Sequence, residues 1–94
     1  MQLNVHRYCS DSLALLAALE RRPRTAARLA GYADAAYAAR GTVRQPNEAA
    51  ARERSGALAR AAIGATTFEH LLADGRQLRD DQIAALAFSS EDSA

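Results

Sequence analysis

The 94-residue sequence predicts one all-α domain, and three observations carry that expectation. The first is the identity of the apolar residues: of 46, 24 are Ala and 11 are Leu, while Val, Ile, Met, Phe, Tyr and Cys share the rest. Alanine is the strongest helix former and fills little volume. Strands favour the β-branched and aromatic residues that are scarce here. The second observation is spacing, since apolar residues recur at the three- and four-residue intervals of a helix. The third is punctuation: Pro23, Gly41, Pro46, Gly64 and Gly75 stand at the ends of those apolar stripes. A domain this small buries roughly 60–65% of the surface its unfolded chain exposes, so a thin helical assembly is expected.

Ser10 and Asp11 are N-cap residues ahead of the stripe Leu13, Leu16, Ala17 and Leu19, with a start as early as Val5 open. Pro23 ends this first helix, because proline disfavours helix in the residue before it, and suits the first turn of the next. The second helix is predicted over residues 23–40, with Ala26, Leu29, Ala30, Ala33, Ala36 and Tyr37 along one side and Gly41 as its C-terminal cap. Pro46 and Asn47 open a third over residues 46–63, with Ala51, Leu58, Ala59, Ala62 and Ile63 inward and Gly64 as its stop. Thr66 and Glu69 have the spacing of a capping box for a short helix over residues 67–73 that ends at Gly75. Asp80 caps a fifth helix with Ile83, Leu86, Ala87 and Phe88 on its inner face. Residues 1–88 are thus read as a single domain, and residues 89–94 as a disordered acidic tail.

All twelve cationic residues are Arg, and the net charge is only +1. The charge is unevenly spread: residues 1–60 carry +5 and residues 61–94 carry −4. Such a dipolar chain suits packing of one half on the other, or on a second copy. Cys9 is the only cysteine, which excludes a disulfide framework and a Cys-rich zinc site. The longest apolar run, from Leu13 to Leu19, falls far short of the roughly 20 residues that span a bilayer. The N-terminus lacks the pattern of a signal peptide, so a cytoplasmic location is expected.

Helical repeats place small residues where paired helices approach closely. In the tetratricopeptide pattern these stand late in the first helix, twelve residues on and seven further; Ala14, Ala26 and Ala33 keep those intervals. Leu13 takes the adjoining apolar position, and Arg21, Arg22 and Pro23 fall at the turn. Ser10, Ala17 and Ala30 replace the aromatic residues of that pattern, and Ala38 its closing proline.

The wording of the chain adds to the spacing. Residues 24–37 (RTAARLAGYADAAY), then Pro46 and Glu48, form one stretch. Ala62, Ile63 and Gly64 lead to Phe68, Gly75, Arg76, Leu78 and residues 83–87 (IAALA) in another. Together they resemble the C-terminal tetratricopeptide-like segment of large bacterial signal-transduction ATPase transcription regulators of the LuxR and SARP types. The resemblance spans residues 10–88 and rests on helix-packing residues and caps. In those regulators a DNA-binding domain and a nucleotide-binding module accompany a long helical-repeat sensor arm. A G-x-x-x-x-G-K-[ST] phosphate loop is absent, and the chain has no Lys with which to make one. Neither ATPase activity nor DNA binding therefore carries over. The resemblance implies a regulatory or scaffolding piece of such a regulator, or a freestanding relative.

The residues that bear chemistry point the same way. His6 and Cys9 stand three apart with His70 as a distant third, a set too weak to define a metal site. Cys9 beside His6 has no oxyanion pocket. Glu69 and His70 diverge on a helix, and Asp80 with Asp81 reads as a cap and a first-turn charge. No catalytic residue, cofactor or metal is expected.

The cluster Arg21, Arg22, Arg24 and Arg28 lies at a helix junction, where it would meet phosphates or acidic partner surfaces. Its plainer reading is a solvated face on which Glu20 pairs with Arg24. Gly31 costs roughly 1 kcal/mol inside a helix relative to Ala, which a close crossing at Ala27, Gly31 and Ala35 would offset. Ala14, Ala26, Ala27, Gly31 and Ala33 form the expected close-packing set, and Tyr32 and Tyr37 the anchors of a partner surface.

The functional expectation is a non-catalytic protein–protein interaction or sensor module associated with bacterial transcriptional regulation. Its partner would be a protein, the sister domains of a larger regulator or a second copy; neither DNA nor a membrane is an expected direct contact. The alternatives are a helical DNA-binding domain using residues 21–28, and a small-molecule effector pocket between the second and third helices.

Overall fold

Local signals place most of the helix ends. The computed structural model describes residues 10–87 and Asp92. Over these the chain forms α1 (Ser10–Leu19), α2 (Pro23–Arg40), α3 (Pro46–Ile63), α4 (Ala65–Arg76) and α5 (Asp80–Ala87), with no strand among the described residues. The five expected helices are all present. Val5 lies outside the described residues, as does Phe88.

The ends of α1 and α2 close in the same way. Gly41 adopts φ 65°, its N–H bonds the Ala38 carbonyl, and the Thr42 N–H bonds the Tyr37 carbonyl, so the last turn is satisfied through a left-handed residue. At the end of α1 that left-handed residue is Arg21, at φ 63°, with the Arg21 N–H on Ala18 and the Arg22 N–H on Ala17. Glu48 at the start of α3 accepts the Gln45 N–H at 2.9 Å, and Gln82 at the start of α5 accepts the Arg79 N–H at 2.9 Å.

Two expected ends differ. The Thr66–Glu69 capping box does not form: the turn at Gly64 delivers the chain into helix already at Ala65, leaving Thr66 inside the first turn. Glu69 instead faces Arg60 at 3.5 Å. Gly75 does not end α4 but lies within it, buried against α2. Asp80 is likewise the first residue of α5 and not its cap.

The core centres on α2, whose most extensive packing is with α4, followed by α1. Ala26, Ala27, Leu29, Ala30 and Ala33 of α2 are buried with Ala14 and Ala17 of α1, Ala59 of α3, Phe68, Leu71 and Leu72 of α4, and Ile83 of α5. With overall extents of 36 × 25 × 21 Å, the helices form a closed bundle and not an extended stack. The crossing of α2 and α4 is backbone on backbone. A Cβ on Gly31 would lie 2.0 Å from the Leu72 carbonyl oxygen, and one on Gly75 would lie 2.0 Å from that of Arg28.

The inner faces of α1 and α3 depart from their expected stripes. In α1 the alanines are inside, while Leu16 and Leu19 are 49% and 52% exposed. In α3 the buried residues are Ser55, Gly56 and Ala59, with Leu58 exposed. Close helix approach selects small side chains for the seam and turns larger ones to its edges.

Candidate functional site

The second half of α2 runs Ala35, Ala36, Ala39, Arg40 along the side that faces the α4–α5 turn. Larger side chains would fill the space between them. Alanine leaves it open, and the result is a groove of about 320 Å³ lined by Tyr32, Ala35, Ala36, Ala39, Arg40, Arg76, Leu78 and Asp80. That volume lies at the small end of ligand-sized clefts. Ala35, Ala36, Ala39 and Leu78 make its apolar lining, and Arg40 and Arg76 supply two cations. The Tyr32 hydroxyl donates to the Asp80 carboxylate, which fixes one wall. The groove lies against the α4–α5 turn, whereas the effector pocket considered from sequence was expected between α2 and α3.

Behind the groove an ion-pair cluster ties the bundle together. Asp34, the only acid in α2, accepts two hydrogen bonds from Arg52, at 2.9 and 3.0 Å, and one from Arg44 at 2.7 Å. Arg44 also makes a two-pronged contact with the buried Asp11 carboxylate, at 2.7 and 3.1 Å. The more exposed Arg76 approaches Asp34 at 3.9 Å, linking the cluster to the groove rim. Burial pushes the Asp34 carboxyl up, but hydrogen bonds and charge from Arg52 and then Arg44 outweigh that and hold it below the usual value. Arg44 stacks on the Tyr37 ring at 4.5 Å from its centroid, and Arg40 lies at 5.6 Å. Burial, a hydrogen bond to Glu48 and the negative charge of Asp11 together push the Tyr37 phenol up to about 12.

The residues singled out from sequence are dispersed. Tyr32 and Tyr37 are 6% and 9% exposed, so their rings serve as wall and cation platform instead of standing out as anchors. Arg21 is exposed, whereas Arg22 is buried and pairs with Glu20 at 2.9 Å. Arg24 does not pair with Glu20, because the left-handed turn at Arg21 breaks the helical spacing. It faces Asp92 at 3.7 Å. The Asp92 carboxylate also accepts the Arg24 and Thr25 N–H groups, so the tail is docked at this residue. Arg28 is half-buried, its carbonyl against Gly75. Ala14, Ala26, Ala27, Gly31 and Ala33 are all buried.

Asp34, Arg44, Arg52, Arg40, Arg76 and Leu78 were not anticipated. The available signal was a lone acid, Asp34, in a helix otherwise made of Arg, Ala and a few polar residues.

Among the described residues no group of three or more His, Cys, Asp or Glu side chains is arranged to hold a metal ion. His6 and Cys9 lie outside the described residues. No described helix is long and apolar enough to cross a membrane. No protein-family model, curated protein or solved structure matches the chain.

Proposed function

We propose that this domain is a non-catalytic interaction or sensor module, of the kind associated with bacterial transcriptional regulation, that seats a partner segment in the groove beside α2. The observation that carries this reading is the groove itself: an alanine and leucine lining with Arg40 and Arg76 at its edge. An apolar segment bearing acidic residues complements that combination, since a small-residue floor admits close approach and two guanidiniums favour carboxylates. The resemblance of residues 10–88 to a tetratricopeptide-like regulator segment supports the regulatory setting.

The test is an amide-resonance titration with a synthetic amphipathic peptide carrying Leu and Glu, against a Leu and Arg counterpart. The acidic peptide should shift Ala35, Ala36 and Ala39 saturably, and Ala36→Leu should weaken it by at least about tenfold. Equal response to both peptides, or shifts confined to other helices, would overturn the reading. A second copy of the chain is the alternative partner, supported by the exposed Leu16 and Leu19 on α1. Sedimentation at rising concentration decides it: a constant monomer mass removes the homodimer.

A further inference from the structure

We propose that the N-terminus of α2 is a binding site for a tetrahedral oxyanion, a phosphate group, and that Asp92 occupies it as a tethered substitute. A helix N-terminus carries unpaired N–H donors and partial positive charge. Here those donors already hold an anionic group from 67 residues or more away in sequence: Asp92 takes the Thr25 N–H at 2.7 Å and the Arg24 N–H at 3.1 Å. Arg24 places its guanidinium 3.7 Å from the same carboxylate. Proline at the first position contributes no donor.

An independent observation concerns the side chain of Thr25. Its residue is fully buried, and its hydroxyl has no hydrogen-bond partner among the described residues. Side chains on a helix tilt toward its N-terminus, so this hydroxyl points to the end where Asp92 sits on its own N–H. A carboxylate has two oxygens, and both are in use. A phosphate group has more, so two could replace those of Asp92 while a third takes the Thr25 hydroxyl. The buried hydroxyl is therefore a contact that the resident carboxylate leaves unfilled and that a tetrahedral anion would fill.

The tether sets the strength expected. A group on the same chain competes at an effective concentration in the millimolar range, so the intact chain should bind free phosphate weakly. Inorganic phosphate titrated into the full chain, with chloride matched for ionic strength, should shift the Arg24 and Thr25 amide resonances saturably in Asp92→Ala. Apparent affinity there should be at least about tenfold tighter than in the unaltered chain. In the Asp92→Ala background, Thr25→Val should weaken phosphate about tenfold while Thr25→Ser retains it. O-phosphoserine distinguishes the source: tighter binding than inorganic phosphate assigns the site to a phosphorylated chain, and equal or weaker binding to the free ion. Asp92→Asn, which keeps an oxygen acceptor without the charge, covers the case in which Asp92→Ala fails to fold. Equal affinity with and without the Asp92 charge, indifference to Thr25→Val, or loss of helical signal in both Asp92 variants would overturn the proposal and leave Asp92 a structural cap.

Discussion

Gly31 and Gly75 show how much rests on single hydrogen atoms in this bundle. Each sits within a helix, where alanine would be favoured by roughly 1 kcal/mol on intrinsic propensity. Each also faces a carbonyl oxygen of the opposite helix, and a Cβ at either would lie 2.0 Å from it. The clash is with backbone, so α2 and α4 must separate as units. Gly31→Ala and Gly75→Ala are each expected to destabilise the chain by about 2–3 kcal/mol, read from the urea midpoint. The double variant should cost less than the sum, because the first substitution already parts the helices. A gain in stability for either would contradict the close crossing. From sequence, Gly31 was recognisable as an unexplained cost inside a helix. Gly75 was not, because a glycine near a helix end has a ready local explanation as a stop.

At the scale of the element, the α1 and α2 endings offer a matched comparison. Both close through one left-handed residue, Gly41 in α2 and Arg21 in α1. Glycine adopts that conformation without steric cost, whereas an L side chain incurs roughly 1–2 kcal/mol. Arg21→Gly should therefore stabilise the chain by about 0.5–1 kcal/mol in thermal or urea melts, after allowance for the larger freedom of glycine when unfolded. An unchanged or lowered midpoint would show that the Arg21 side chain contributes more than its backbone costs. The same turn explains why Glu20 and Arg24 are apart despite their helical spacing in sequence. Element boundaries were readable where Pro, Gly or a capping side chain acts within a single turn, as for α2 and α3. They were misread for α4, where Thr66 and Glu69 had the right spacing but the turn at Gly64 had already started the helix.

The whole molecule depends on Asp34, where side chains from α2, α3, α4 and the α2–α3 connection converge. Its carboxyl titrates below the usual value because the favourable contacts of Arg52 and Arg44 exceed the effect of burial. A group whose folded value is depressed binds its proton more readily when unfolded. Its contribution is complete above the unfolded value, near 3.9, and is lost as the pH falls through the lower folded one. Denaturation midpoints should thus fall below about pH 4, and Asp34→Asn should cost about 2–3 kcal/mol at neutral pH while flattening that acid dependence. An Asp34→Asn chain with unchanged acid sensitivity would move the effect to another carboxylate. Charge asymmetry between the halves, +5 against −4, finds direct expression in Arg24 on Asp92 and Arg60 near Glu69. The densest cluster nevertheless lies largely within the first half, where sequence separation gave no cue to it.

By itself, the sequence determined that the chain is helical and where most helices begin and end, because proline, glycine and capping groups act on their nearest neighbours. Only the tertiary structure decided which faces meet, which arginines gather on Asp34, and where the groove opens. The reason lies in the alanines with which the reading began. Alanine is compatible with seam, groove floor and solvent alike, so an alanine-rich helix has no single face that its pattern must bury. Its partners are chosen by what packs closely against it: glycine against carbonyl at the α2–α4 crossing, and open space where nothing does.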